Sequence, residues 1–561
     1  MAKRIPYGLQ NFSEILDQNY YYIDKTPYIE KLESLGEKYI VFLRPRKFGK
    51  SLWLDTLATY YDIRRRDDFE RLFGDLHIGR NPTPLRNSYY ILRFNFSGIQ
   101  TSDEATLKND FRINIMISFS HFFSVYRIPP FEFIPTNEPA TLLAQFFEYC
   151  RNYLQDRKIY LLIDEYDHFA NELFSFNYEL FRDVVSKNGF IRKFYEVIKE
   201  ASGPIVERIF ITGVSPITLD SLTSGFNIAK SLTLRGDFNE MQGFTEEEVQ
   251  YLIDDLGYGI NIQEMRDYYN GYLFSPDAAT RVYNSDMVLY FLSEYRNGQK
   301  APAEALDINI ASDHKKLERI LEPTGERRAI LEGLLSGEPL AIQLTREYNL
   351  EVGRTIEDYK SMLFYLGFLT VDHVDFGMVY YATPNYAIRE LYYSFFRQLL
   401  SRENGFDIDV HRIQLAIRSL GIEGDIASLA AIVSQALAKY SNRDSIQMSE
   451  KHVKMVMMAY LMLSNAYMVY SEYELERRYA DIYLKARMKE VKVEAAIELK
   501  YLSLEAAKDA ARVEAQHQEG IAQVKWDLAH LPRHADMELR GYLLRFIGCE
   551  VAVEEITPDS E

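Results

Sequence analysis

The sequence predicts an α/β fold on a parallel sheet, then helical modules, then a separate C-terminal α/β domain. Three observations carry this. The apolar strand Tyr39-Ile-Val-Phe-Leu43 runs into Arg44-Pro-Arg-Lys-Phe-Gly-Lys-Ser51, a loop ending in Gly-Lys-Ser. A second apolar strand, Ile159-Tyr-Leu-Leu-Ile163, ends on the paired carboxylates Asp164 and Glu165. Around these, apolar strands alternate with helical stretches as far as residue 235, the pattern of a parallel sheet covered by helices.

In chain order, residues 1–35 hold an aromatic segment, Tyr20-Tyr-Tyr-Ile-Asp24-Lys25-Thr26, ahead of the first strand. Strands are expected at 39–43, 89–96, 159–163 and 207–212, and a helix from Ser51 onward. A phosphate-binding loop needs inward backbone N–H groups, a lysine for the outer phosphates and a hydroxyl for magnesium. Gly49, Lys50 and Ser51 supply those parts, and the helix N-terminus adds a favourable dipole. Lys50 is expected to be an exposed loop lysine with little part in packing. Asp164 is placed to hold the magnesium, and Glu165 to orient or deprotonate a water. Thr212, at the end of the last strand, is placed to sense the outermost phosphate. Asp167 reads as a helix cap rather than a ligand. One strand lies between the loop and the carboxylates, which typifies nucleotide hydrolases of the AAA-like division rather than the GTPase division.

Residues 236–440 read as helical or winged-helix modules punctuated by Gly243, Gly271, Pro276 and Pro384. From 441 onward the order expected is a long apolar helix over Val453–Tyr470, two strands, a charge-rich helix over 505–530 and a final strand near Tyr542–Val553. The two strands are Asp481–Ala486 and Val491–Leu502, joined by a turn near Met488–Glu490. Residues two apart on a strand share a face, so Glu498 and Lys500 point together. Asp481 on the neighbouring strand reaches the same point. Two carboxylates and a lysine form a metal site for phosphodiester hydrolysis, with the lysine positioning or activating water. Glu472 or Glu474 completes the shell, and Gln523 on the next helix orients it. A cross-strand salt bridge on an exposed face would give the same pattern.

Composition narrows the function classes. A chain of 561 residues exceeds one hydrophobic core. No run of about 18 apolar residues is present, so no membrane span or membrane partner is expected. The start, Met-Ala-Lys-Arg-Ile-Pro, lacks a secretory core. Cys150 and Cys549 are too few for a disulfide framework or zinc site, and a cytoplasmic location is expected. The net charge of −18 argues against a broad basic nucleic-acid face but leaves room for a local metal-centred one.

Together these residues resemble the bacterial and archaeal AAA-ATPase-like proteins that carry a PD-(D/E)XK nuclease-superfamily domain at the C-terminus. The likeness runs through Ile5-Pro-Tyr-Gly8, Tyr22-Ile-Asp24-Lys25-Thr26, Arg44-Pro-Arg-Lys-Phe-Gly-Lys-Ser-Leu52, Ile163-Asp-Glu-Tyr-Asp167 and Ile211-Thr-Gly-Val-Ser215. It continues in order through Gly243-Phe-Thr-Glu-Glu-Glu-Val249, Tyr269-Asn-Gly-Tyr-Leu-Phe274, Val282-Tyr-Asn284 and Pro384-Asn385. The family's loop is a variant in which arginine, here Arg44, replaces the first glycine of the strict pattern.

The resemblance implies an AAA-like phosphate-loop domain over 1–235, helical and winged-helix-like modules over 236–440, and a nuclease-like domain over 441–561. It implies ATP held by Arg46, Phe48, Gly49, Lys50, Ser51, Leu52, Asp164 and Thr212, with Mg²⁺ on Ser51 and Asp164 and Glu165 catalytic. In the C-terminal domain it implies Mg²⁺ or Mn²⁺ on Glu474, Asp481 and Glu498, with Glu498 and Lys500 catalytic. The family's Gly-x-Gly-Arg run before the aspartate is replaced here by Glu476-Arg-Arg-Tyr479. The function implied is an ATPase fused to a metal-dependent nuclease acting on DNA or RNA, working as a homo-oligomer or with a protein partner. The alternative is an ATP-dependent switch or scaffold whose nuclease-like domain only binds.

Overall fold

The computed structural model describes residues 3–185, 189–216, 228–298, 302, 317, 320, 325–345, 355–404, 409–440, 448–476, 478–534 and 536–557. Two compact units divide the chain, Met1–Arg328 with Leu340–Ala387, and Ala329–Pro339 with Ile388–Glu561.

The first unit is organised by a parallel sheet of β1 (Tyr39–Leu43), β2 (Tyr90–Asn95), β3 (Ile159–Asp164), β4 (Val206–Gly213) and β5 (Lys230–Ser231), in the order β2-β3-β4-β1-β5. The central strands are buried on both faces, hence their unbroken apolar runs. The strand expected between the phosphate loop and the carboxylates in the chain is β2, which takes the edge beside β3, while in the sheet it is β4 that lies between β1 and β3. Its register aligns Phe42 with Thr212, Leu43 with Gly213, and Ile163 with Ile211. The helix Lys50–Tyr61 begins one residue earlier than the sequence suggested and buries Trp53, Leu54 and Leu57 in the core.

The N-terminal segment is fastened across this core. The Phe12 amide donates to Asp55 at 2.9 Å, and the Tyr21 hydroxyl to Asp255 at 2.7 Å. Lys25 donates to both oxygens of Glu248 at 2.7 Å, while Glu248 completes the capping box with Thr245 that starts the helix Glu246–Leu256. Further on, β6 (Leu340–Ala341), β7 (Thr370–Asp375) and β8 (Met378–Ala382) form a small antiparallel sheet after the helix Ile356–Tyr365.

The second unit holds a mixed sheet of β9 (Tyr467–Leu475), β10 (Arg478–Ala486), β11 (Val493–Leu502), β12 (Glu538–Ile547) and β13 (Glu550–Ile556), in the order β13-β12-β11-β10-β9. This corrects the expected element order. Three strands precede the charged helix Ala510–His530 and two follow it. The apolar run read as one helix to Tyr470 is the helix Glu450–Leu461 followed by β9, because apolar content alone cannot tell a buried helix from a buried strand. Only the β11–β12 pair is parallel, bridged by the Ala510–His530 crossover. Gly520 and Gly541 allow that helix to lie close on the sheet, since a Cβ at either would stand 2.5 Å or less from Leu543 or Val524. The helices Val410–Glu423 and Ala427–Tyr440 also belong to this unit, tied to the sheet by Tyr542 to the Gly424 carbonyl and Ser434 to the Cys549 carbonyl, both at 2.7 Å.

Candidate nucleotide and metal sites

The Arg44–Gly49 loop leaves the C-terminal edge of β1, where ligands sit in open parallel sheets. Lys47 (φ 70°) and Gly49 (φ 85°) turn the backbone through the left-handed region. The loop is held from outside by the start of the helix Ser285–Gly298. Asn284 donates to the Arg46 carbonyl, Ser285 and the Asp286 amide to the Lys47 carbonyl, and Asp286 pairs with the Lys47 ammonium at 3.1 Å. These braces were visible in the sequence only as the Val282-Tyr-Asn284 run, with no hint of what they hold.

Arg44 is buried, its guanidinium between the Phe42 and Phe274 rings, 4.1 and 4.3 Å from their centroids. It donates to the carbonyls of Leu43, Thr233 and Phe238. Burial pushes its pKa down to about 9. It replaces a loop glycine with a strut that ties β1 to the 233–238 segment.

Lys50 is buried, not exposed as expected, and its ammonium donates to the carbonyls of Arg44 at 3.1 Å and Pro45 at 2.9 Å. An ammonium held inside the loop by carbonyls can turn to a phosphate without crossing solvent. Phe48 packs its ring edge-on to Tyr272 and Phe274, so only its backbone belongs to the cradle. Leu52 packs against the core from the first turn of the loop helix. Arg46 approaches the His168 ring at 3.4 Å.

At the end of β3, burial raises the Asp164 carboxyl, while the Ser51 hydroxyl and the Lys50 charge act to lower it. Its oxygen also accepts the Glu165 amide at 3.0 Å. Glu165 has φ 51°, a costly conformation for a non-glycine residue, and it lines one cavity with Lys50 and Ser51. Asp167 stands at the N-cap position, but its carboxylate does not cap that helix. It instead accepts the Val214 and Ser215 amides at 3.0 and 2.6 Å, fastening the end of β4 to that of β3. The Thr212 hydroxyl between these strand ends is buried with no partner. Lys50, Ser51 and Glu165 on one cavity, with Asp164 beside Ser51, fit a phosphate chain with a divalent cation. The cavity, of about 280 Å³, extends from there to the N-terminal segment.

In the second unit, β10 pairs antiparallel with β11 through Ile482–Ile497, so Asp481 and Glu498 share a sheet face on the next rung. The Asp481 carboxylate accepts the Leu499 amide at 3.0 Å. Lys500 lies 2.9 Å from Glu498. The strand is covered on both faces, so Glu498 and Lys500 are not an exposed salt bridge.

Burial, then the Asp481 charge, pushes Glu498 up to about 8. Burial alone would lower the Lys500 ammonium, but Glu498 leaves it raised. Three participants escaped the sequence reading. Asp527 is buried and pushed up to about 7 by that burial and by Asp481. Glu450 is raised by burial and Asp481, and Lys454 stands 3.5 Å from Asp481 while bonding Glu472. Helical spacing from Gln523 was the one signal for Asp527, a turn further along the same face.

Glu498 Oε2, Asp527 Oδ2 and Gln523 Oε1 are buried without a hydrogen-bond donor. Orphaned acceptors of this kind fit a cation. Glu474 is exposed opposite Tyr479, while Glu472 (φ 53°) bonds Lys454, which stands beside Asp481. Among the described residues, no three His, Cys, Asp or Glu side chains are grouped to hold a metal alone. Arg477 of the Glu476–Tyr479 run lies outside the described residues.

Among the described residues, no helix is long and apolar enough to cross a membrane. Residues 6–223 match the family model described as predicted AAA-ATPase, and residues 448–555 match that of the PD-(D/E)XK nuclease superfamily. The chain is similar to an uncharacterized protein in the vnfD 5' region of Azotobacter chroococcum mcd 1, 29% identical over 301 residues. That match covers 52% of this chain and about half, 52%, of the relative's own length. A solved structure of Drosophila ORC bound to poly(dA/dT) DNA and Cdc6 aligns over 81% of this chain and 69% of that one, at 11% identity. Its TM-score of 0.21 is too low to bear on the fold. The chain thus joins an AAA-ATPase-like domain at residues 6–223 to a C-terminal domain of the PD-(D/E)XK nuclease superfamily at residues 448–555.

Proposed function

We propose that this protein binds and hydrolyses ATP with Mg²⁺ in its N-terminal domain, and that this controls a metal-dependent phosphodiesterase site for DNA or RNA in its C-terminal domain. The observation that carries the first half is the meeting of Lys50, Ser51 and Glu165 on one cavity, with Asp164 beside Ser51. Lys50 would release its two carbonyls to bind the outer phosphates, and the loop amides would cradle the rest. Ser51 and Asp164 would hold the magnesium, which when bound neutralises phosphate charge. Glu165 would take a proton from the attacking water, and Thr212 would donate to the outermost phosphate.

For the second half, Asp481 and Glu498 would hold Mg²⁺ or Mn²⁺, with Asp527 as a further acceptor and Lys500 positioning water. A cytoplasmic location and self-association or a protein partner belong to the same reading. Glu165→Gln tests the ATPase assignment. It should keep ATP bound and slow hydrolysis by about two to four orders of magnitude, the usual reach of a general base. Wild-type turnover in that variant would remove Glu165 from the mechanism.

A second reading has its own support. Lys454 already contacts Asp481 and Glu472, and among the described residues no three His, Cys, Asp or Glu side chains are grouped to hold a metal alone. On that reading ATP drives a switch or scaffold, and the C-terminal domain binds nucleic acid without cutting it. Plasmid and single-stranded substrates with Mg²⁺ or Mn²⁺, with and without ATP, separate the two.

A further inference from the structure

Gln242 immediately precedes Gly243, whose amide donates to the Phe48 carbonyl of the phosphate loop at 3.3 Å. It lines the same cavity as Lys50, Ser51 and Glu165 and is 3% exposed. Both polar atoms of its carboxamide, Oε1 and Nε2, are buried without a hydrogen-bond partner. Leaving a donor and an acceptor unpaired together is costly, and such groups in native proteins call for an explanation.

The rest of the cavity narrows what completes them. A triphosphate on Gly49–Ser51 leaves the base to the remaining wall, which includes Ile15, Ile23, Trp53 and Leu252. Three other polar side chains of this wall are already engaged. The Tyr22 and Thr56 hydroxyls face each other at 3.4 Å, and Lys25 is held by Glu248. Gln10 also lines the cavity but is exposed, so Gln242 is the buried carboxamide left to meet the base.

We propose that Gln242 selects the nucleotide base, pairing its carboxamide with the 6-amino group and adjacent ring nitrogen of adenine. This rests on the nucleotide-binding reading above. Adenine offers a donor beside an acceptor, which a carboxamide matches in two hydrogen bonds. Guanine fits poorly on either edge. Its N7 edge shows two acceptors, and its N1 edge carries a 2-amino group that would be buried without an acceptor. A site with buried polar groups built for one partner rejects a mismatched one strongly.

The test is calorimetric titration of the full chain with MgATP, MgGTP and base-free magnesium tripolyphosphate, on wild type and Gln242→Leu. Thermal unfolding without ligand checks that the variant folds, and the neutral, near-isosteric Gln242→Met serves if leucine does not. The wild type should prefer ATP to GTP by about tenfold or more. Either variant should lose that preference while binding tripolyphosphate unchanged. Equal affinity for ATP and GTP in wild type, or a preference that persists in a folded variant, would overturn the assignment and leave the phosphate site standing. Failure of all three ligands to bind wild type would overturn the nucleotide reading, and this inference with it.

Discussion

Thr212 stands beside Asp164 at the C-terminal edge of adjacent parallel strands, one rung past the Ile163–Ile211 pair, its hydroxyl buried with no partner. An orphaned buried hydroxyl gives nothing to the fold. Thr212→Val keeps the shape and removes the orphan, so the thermal midpoint should be unchanged or slightly raised. ATP turnover should nevertheless fall by about two orders of magnitude, as when one donor to a transition state is removed. Steady-state kinetics alongside thermal unfolding check both halves. Normal turnover would make the hydroxyl a packing accident.

Arg44 occupies a place where the strict loop pattern has glycine, yet restoring glycine should harm the protein. Arg44→Gly would empty the space between Phe42 and Phe274 and strip the Thr233 and Phe238 carbonyls of their donor. The cost should be on the order of 3 kcal/mol, from orphaned buried acceptors and lost packing. Chemical denaturation of wild type and variant measures it. A neutral result would show that the strut carries no stability.

The parallel sheet was legible because strands buried on both faces appear as uninterrupted apolar runs, and Asp164 closes one of them, but the lateral order β2-β3-β4-β1-β5 was not, since an apolar run does not say which strand lies beside it. That same signal misled in the C-terminal domain. There the apolar stretch through Tyr470 continued across the turn from the Glu450–Leu461 helix into β9. Glu498 and Lys500 were readable from alternation along one strand. Asp527, Glu450 and Lys454 were not, since helix packing brings them in from distant positions. Lys50 was assigned its role from type and spacing, but its burial on the Arg44 and Pro45 carbonyls depends on a loop path no local rule specifies.

The metal-free C-terminal site should lose stability as pH rises. Glu498 has its folded pKa pushed from 4.5 up to about 8 by burial, then Asp481, and Asp527 from 3.8 up to about 7 by burial, then Asp481. The folded state therefore holds more protons than the unfolded one between those limits. Stability is fully present below about 4 and is lost progressively as pH climbs through 7 and 8. The facing cations Lys500 and Lys454 reduce the loss but leave both carboxyls raised. With chelator present, thermal midpoints across this range should fall, and Glu498→Gln should flatten the slope. Added Mg²⁺ or Mn²⁺ should restore stability most at the alkaline end, and Asp481→Ala should abolish the restoration. A flat profile in wild type would contradict the assigned carboxyl environment.

The central claim is that Lys50 meets phosphate in this loop, and titration of MgATP into wild type and Lys50→Ala tests it most directly. Because Lys50 is buried and bonded to two carbonyls, the variant is first shown by thermal unfolding to be folded at the titration temperature. Loss of charge-assisted bonds to the outer phosphates should weaken ATP by about 10- to 100-fold. Adenosine, which has no phosphates, should be unaffected. Equal ATP affinity in wild type and folded variant, or no ATP binding by wild type, would contradict the account.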